Sequence, residues 1–300
     1  MIPDQGYVGD LRLRLTPLTD PDYRPFSRRI AWLAADADGN PVGSAFLRLN
    51  SRESQAHLAE LQLNVHPAER RRGVGSQLLG AVVSAAHDHE VRTLLADATA
   101  DSPADRFLQH HDFAIGLTLV YARLRLADAH PAVPDVPGYR LISWRGVVPD
   151  ELAQTFTDAR SGMNDAPSGD IAYEADPWDV ERTWHAAQVI EERGDRLTTV
   201  AAVDDSTGAI IGFTELVVPG DGKGDAQHYG TAVLPEHRGH GLALWMKAEQ
   251  ILETRVRFPD LAGLLTDTGD TNGPMRRINS RLGYRPTKTV RRRSLNLCTY

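Results

Sequence analysis

Two glycine-rich turns hold the residue types that could grip a pyrophosphate. The first is Val65-His66-Pro67-Ala68-Glu69-Arg70-Arg71-Arg72-Gly73-Val74-Gly75. The second is Val233-Leu234-Pro235-Glu236-His237-Arg238-Gly239-His240-Gly241-Leu242-Ala243. Aligned, Val65 meets Val233, Pro67 meets Pro235, Arg70 meets Arg238, Gly73 meets Gly241 and Gly75 meets Ala243. A diphosphate needs inward-pointing N–H donors and a close backbone. Glycine permits the approach, and a helix N-terminus supplies unpaired N–H groups and a positive dipole end. Arg238 adds a fixed charge for phosphate. No lysine–hydroxyl pair follows the glycines, as a P-loop requires. No acidic ribose-binding residue follows a second strand, as a Rossmann fold requires.

The elements around each turn set its use. Leu61, Leu63 and Val65 alternate like a strand and run into the first turn. Leu78, Leu79, Val82, Val83 and Ala86 then recur at helical spacing. In the second half the helix continues through Leu244, Trp245, Ala248, Ile251 and Leu252. Further strands are expected at Leu11–Leu15, on either side of the Asp38-Gly39-Asn40 turn, at Val91–Leu95, and over Phe113–Leu126. Residues 128–138 hold three prolines and a glycine and read as a linker, after which Tyr139-Arg140-Leu141-Ile142 starts a new strand. The expected division is a first domain at 1–127, a linker at 128–137 and a second domain at 138–300. The second half has extra length before its turn, which reads as helices at about 150–159 and 176–192 with a loop between them.

Composition bounds the partners. The chain of 300 residues has a net charge of −7, which argues against broad nucleic-acid binding. No apolar run approaches the ~20 residues of a membrane span. The single cysteine, Cys298, permits no internal disulfide and fits a reducing cytoplasm. The histidines at 87, 89, 110 and 111 make no persuasive metal set. The expected assembly is a monomer or a homodimer.

With these motifs the sequence resembles the GNAT superfamily of N-acetyltransferases. Its Gln/Arg-x-x-Gly-x-Gly/Ala turn is matched by Arg70-x-x-Gly73-x-Gly75 and by Arg238-x-x-Gly241-x-Ala243. Asn272 through Leu282-Gly283-Tyr284 looks like the superfamily's later helix and turn, and Asp101 through Phe113 like a degenerate copy. Met163-Asn164-Asp165-Ala166-Pro167 resembles a segment of actinobacterial tandem acetyltransferases, with mycothiol synthase a distant relative. The resemblance implies an α/β (α+β) chain of two tandem GNAT-like domains, each a mixed twisted sheet flanked by helices. It implies acetyl-CoA as co-substrate and direct attack of an amine on its thioester.

That resemblance assigns acetyl-CoA contacts to Val233, Leu234, Arg238, Gly239, His240, Gly241, Leu242, Ala243 and Asn272, and to Arg70, Gly73 and Gly75 in the first half. A main-chain N–H near Val233 or Leu234 is the expected oxyanion donor. Counting back from Tyr284 and Phe113, the superfamily's tyrosine acid is replaced by Asn279 and by Leu108. A thiol near pKa ~8.5 leaves tolerably without a strong acid, and Asn279 could bond the thiolate. Glu215 and His228 are the candidate bases, each with an ordinary strand role as its alternative. Asn164 and Asp165 are candidate substrate contacts, with a turn or cap role open for Asp165. The second half, with its helical insert, is the expected catalytic domain. The expected acceptor is a small-molecule amine; a protein or peptide acceptor and a non-catalytic acyl-CoA-binding module are the alternatives.

Overall fold

Alternating apolar runs build the strands of the computed structural model, which describes residues 13–18, 27–50, 52–133, 135–164, 169–171 and 177–298. In chain order the elements are β1 Arg14–Leu18, β2 Ser27–Ala35, β3 Pro41–Asn50, β4 Leu58–Val65, α1 Val74–Asp88, β5 Thr93–Thr99, α2 Pro103–His110 and β6 Ala114–Arg125. Then follow β7 Tyr139–Arg145, α3 Asp150–Arg160, α4 Val180–Glu192, β8 Arg196–Asp204, β9 Ile210–Val218, β10 Gly224–Val233, α5 Leu242–Arg257, β11 Leu261–Gly269, α6 Gly273–Arg281 and β12 Arg285–Asn296. No helix among the described residues is long and apolar enough to cross a membrane.

The chain forms two compact units. In the first, β1 to β4 are antiparallel, and β5 joins β4 in parallel. Ala45 and Leu47 of β3 alternate onto one face and are fully buried. Against that face α1 lays the expected stripe of Leu78, Leu79, Val82, Val83 and Ala86. In the second unit β7 to β10 are antiparallel, with β11 parallel to β10 and β6 antiparallel to β11. β9 is buried along its whole length, because helices cover both of its faces: α3 on one, α5 on the other.

The units are not continuous in sequence. The first takes residues 1–116, 170–174 and 291–300, and the second takes 117–169 and 175–290. The expected boundaries at 127 and 138 therefore move. Most of β6 belongs to the second unit, where Leu119 to Arg125 pair with Gly269 to Gly263. The end of β12 belongs to the first unit, where Arg291 and Arg293 bond Asp105. Period-two patterning shows that a segment is a strand but not which neighbour it pairs with. Described residues at both ends of the proline-rich 128–138 stretch are also packed. Val136 joins a core with Leu242 and Met246, and Arg255 donates to the Ala129 carbonyl. The second insert helix starts later than expected, at Val180, because Asp179 caps it by accepting from the Arg182 N–H at 2.7 Å.

Asp105 is the polar anchor of the first unit. It is 2% exposed and accepts from Arg293 Nε and Arg291 Nη1, both at 2.6 Å, and from the Asp101 N–H at 2.9 Å. Burial alone would raise its pKa. The bonds from Arg293, Asp101 and Arg291 outweigh burial and hold the carboxyl below its ordinary value. Removing it strands the buried Arg293 guanidinium. Asp105→Ala is expected to cost about 3–5 kcal/mol in urea unfolding. The stabilisation is complete above the unfolded carboxylate pKa and is lost as pH falls through the lower folded one. The difference between wild type and variant should therefore shrink on acidification. A loss under about 1 kcal/mol would class the cluster with solvated surface pairs.

Candidate active site: two glycine cradles

Each glycine turn starts a helix with its backbone bare. Gly73 and Gly241 are the N-caps of α1 and α5, with φ of 84° and 85°. Glycine alone takes this left-handed conformation without cost. No atom lies within 4 Å of where a Cβ would stand on either, so both cradles have room above them. Neither helix has a side-chain cap, which leaves its first N–H groups available to an anion. At Gly75 a Cβ would stand 3.1 Å from the Phe107 ring, so close packing also requires glycine there.

The motif arginines do something the sequence reading missed. Arg70 Nε donates to the Val65 carbonyl at 3.3 Å, and Arg238 Nε to the Val233 carbonyl at 2.9 Å. Each folds back onto the last residue of its own strand. Arg238 Nη2 also reaches the Gly162 carbonyl at 3.4 Å. These guanidinium groups brace the loop, in addition to any charge they present to a ligand.

Past each pairing the strands part. β4 and β5 pair from Leu58 with Thr93 to Leu61 with Ala96, while β4 runs on to Val65. β10 and β11 pair from Gly224 with Leu261 to Gln227 with Leu265, while β10 runs on to Val233. In the first unit this parting opens a cavity of about 1030 Å³. Arg70, Gly73, Gly75 and Ser76 line one end. His111 also lines it, its Nε2 3.1 Å from Ser76 Oγ and its ring 4.5 Å from Phe107. Burial, then the neighbouring His110, holds the His111 imidazole below its ordinary value, against the pull of Asp112. No local pattern points to the Ser76–His111 contact, which joins residues far apart in the chain.

The second unit distributes its expected site residues differently. β10 shifts register against β9 between His228 and Gly230. Gly230, inside a strand run, was the available signal for that bulge. The Leu234 N–H is spent on the Ile211 carbonyl at 2.8 Å, as the matching His66 N–H of the first unit is on the Val42 carbonyl at 2.9 Å, so neither is a free oxyanion donor. Leu242 is buried in the core, Ala243 packs against the same core, and the His240 ring lies 6.0 Å from that of Tyr139. Gly239 takes a φ of 85°. Asn272 caps α6, accepting from the Met275 N–H at 3.2 Å. Asn164 is exposed just after α3; Asp165 lies outside the described residues.

The side chains of Glu215 and His228 are not brought together, although the His228 ring also meets the Glu215 backbone. Glu215 faces α3, where Arg160 Nη2 donates to its Oε1 at 2.5 Å. The Arg160 guanidinium is itself enclosed by the rings of Phe156, Trp178 and Phe213, at 4.8, 4.3 and 5.4 Å. Burial pushes the Glu215 carboxyl up and Arg160 only partly pulls it back. His228 stands opposite Leu216, whose side chain packs with α5 on the other face. Its Nε2 is 2.7 Å from Tyr284 Oη, and its buried Nδ1 has no partner. Burial, then the charge of Lys247, holds this imidazole well below its ordinary value. Asn279 donates to Thr268 Oγ1 at 3.1 Å and leaves a buried Oδ1 unpaired. The sequence reading missed Arg160 and Lys247, since each sits on a helix where a charge reads as solvated surface.

Comparison with known proteins agrees with this geometry. The acetyltransferase (GNAT) family matches residues 8–113 and again 161–284. The mycothiol acetyltransferase of Stackebrandtia nassauensis is 28% identical over 234 residues, 77% of this chain and 72% of that protein. That of Mycobacterium avium is 29% identical over 232 residues, 70% and 64% of the two lengths. A tandem GNAT protein from the clavulanic acid biosynthesis pathway, solved without AcCoA, superposes with a TM-score of 0.72 at 26% identity, covering 92% of this chain and 85% of that one. A GCN5-related N-acetyltransferase from Sphaerobacter thermophilus shares the fold, with a TM-score of 0.69 at 20% identity over 89% and 80%.

Lys247 gives the second unit a pH signature. It is 1% exposed on α5, with Nζ 5.3 Å from the Tyr284 ring. Burial takes its pKa from 10.5 to about 7, against the opposing charge of Asp267. Between those values the unfolded chain binds the extra proton, so this group adds stability as pH rises. Lys247→Met lacks the effect. The variant is expected to be more stable than wild type near neutral pH, with a margin that shrinks by about 2–3 kcal/mol over the next ~2 pH units. Urea unfolding at the two pH values checks this, and a margin independent of pH would mean that Lys247 is ordinarily solvated.

Proposed function

The chain belongs to the acetyltransferase (GNAT) family, and we propose that it carries acetyl groups from acetyl-CoA to the amine of a small molecule. The observation that carries this reading is the cavity of about 1030 Å³ that starts at the Gly73 cradle and follows the parting of β4 and β5. Its cradle end matches the chemistry of a diphosphate: uncapped helix N–H groups, a bare glycine, and the guanidinium groups of Arg70 and Arg71. Its middle, between Leu63, Val65 and Phe107, is apolar enough for a pantetheine arm. Acetyl-CoA supplies the activated thioester. The protein's part is to seat that ligand and to admit an amine in its neutral form. The mycothiol acetyltransferases act, by their name, on a small molecule, and the acceptor proposed here is of that class.

A second reading places transfer in the second unit. It is favoured by the register shift at His228–Gly230, which breaks the regular ladder beside the second cradle. There Asn279 Oδ1, buried and unpaired, could accept from a thiol S–H but not bond a thiolate, because the Asn279 amide donor is given to Thr268; Glu215 or His228 would be the base.

The cradle assignment has a direct test. Gly73→Glu places a carboxylate where phosphate is to sit, and calorimetry on the full chain should show acetyl-CoA affinity falling more than tenfold, over ~1.4 kcal/mol. Gly73→Asn controls for backbone strain, because asparagine tolerates the left-handed conformation. Undiminished binding in a folded Gly73→Glu protein would remove the first cradle as the seat. Release of free CoA thiol on adding an amine panel separates an enzyme from a binding module.

A further inference from the structure

We propose that acetyl transfer takes place in the first unit. Its cavity passes through the sheet between β4 and β5 onto the face carrying Gln62, Asn64 and Asp97, whereas the matching passage of the second unit is closed by the chain's own Ser161–Met163 segment and Arg160. This rests on the reading of the first cavity as an acetyl-CoA seat.

The lining of the cavity comes from both faces of one sheet. Gly75, Ser76 and Phe107 lie on the helix-covered face with α1 and α2. Gln62, Asn64 and Asp97 also line it, and all three are exposed. Along β4, Gln62 and Asn64 point away from the face onto which Leu61 packs with α1. A single cavity can include both sets only by crossing the sheet. The crossing lies where β4 has run beyond its last pair with β5, Leu61 with Ala96.

The aligned motifs allow a comparison position by position. Val65 corresponds to Val233, so Asn64 corresponds to Ala232 and Gln62 to Gly230. In the second unit these places are small, and the chain after α3 lies directly on them. A Cβ on Gly162 would stand 3.2 Å from the Val233 carbonyl oxygen and 3.3 Å from Ala232 Cβ, and a Cβ on Gly230 would meet the sulfur of Met163 at 3.7 Å. Arg238 ties Gly162 down through its carbonyl. Arg160 then fills the space under α3 with a guanidinium already bonded to Glu215 and ringed by three aromatic side chains. A site for a cationic amine exists there, and it is taken. In the first unit the same face offers Gln62 and Asn64, both solvent-reached, while Asp97 is held by Arg292 through two bonds of 2.8 Å and is still exposed.

The step on that face balances simply. The neutral amine nitrogen forms the C–N bond to the acetyl carbon, the C–S bond breaks, and CoA leaves as its thiolate. The ammonium proton passes to water on the exposed face, and water protonates the thiolate.

A through-passage can be told from a dead end without knowing the acceptor. The probes are acetyl-CoA and a CoA thioether bearing an N-butylacetamide tail, S–CH2–CO–NH–C4H9, titrated calorimetrically into the full chain. The tailed probe is expected to bind at least as tightly as acetyl-CoA, because its tail emerges beside Asn64. Asn64→Trp, an exposed substitution that spares the cradle, should lower the affinity of the tailed probe relative to acetyl-CoA more than tenfold. A tailed probe that binds more than tenfold weaker than acetyl-CoA in wild type would overturn the proposal, as would an affinity ratio unmoved by Asn64→Trp. Acetyl-CoA binding that survives Gly73→Glu would instead sink the reading on which the proposal rests.

Discussion

A bond from an arginine back to the end of the strand before it organises both halves of this chain. Arg70 makes it to Val65 and Arg238 to Val233, each through Nε. The bond involves an ionised donor and is worth about 1.5–3 kcal/mol. Its larger consequence is geometric. It holds the strand end and the glycine turn at a fixed angle, so the following helix points its uncapped N-terminus back toward the strand. It also engages the last strand carbonyl where the parallel neighbour has already departed. A strand end in such a gap would otherwise carry an unmet backbone group, a cost comparable to a lost hydrogen bond. The cradle and the gap beside it are therefore one device.

That device is present twice, but its surroundings differ. In the second unit the helical insert brings α3 and its trailing turn onto β10. Burying Arg160 and Glu215 there is tolerable because each charge has the other, and because three aromatic faces replace part of the lost hydration of the guanidinium. On the other face His228, Lys247 and Tyr284 form a second buried polar group held near neutrality. Desolvation sets all of these groups. The first unit spends its buried charge away from the gap, on Asp105 with Arg291 and Arg293, and keeps polar side chains at the gap exposed.

Much of this was legible in the residues. The repeat Arg-x-x-Gly at 70–73 and 238–241 located both cradles, and apolar spacing located α1 and α5. Local chemistry writes itself into local sequence: a left-handed cap demands glycine, and an amphipathic helix demands its stripe. What was not legible is non-local. Nothing near Ala114–Arg125 says that the strand pairs with β11, and nothing near Arg293 says that its partner is Asp105. Arg160 and Lys247 read as ordinary helix-surface charges until the sheet is placed beneath them. Glu215 and His228 were both picked out as candidate bases, but period two alone does not show that β10 shifts register between His228 and Gly230.

The helical insert was expected to mark the catalytic half. An insert adds walls, and walls make a site only if they leave a space. Here the added elements place Gly162 within contact of Ala232 and supply a resident cation to the aromatic enclosure. The half without the insert, which looked impoverished for that reason, keeps its gap open, and its cradle is as unobstructed as the other. The expected replacement of a tyrosine acid, by Leu108 and by Asn279, does not distinguish the halves, because a thiol of pKa ~8.5 leaves as its anion without strong acid assistance. On the function proposed above, a thioester must be reached by a neutral amine before any proton is moved, and the gap between β4 and β5 offers that access, since its cavity is lined by Arg70 and Gly73 at the cradle and by the exposed Gln62 and Asn64.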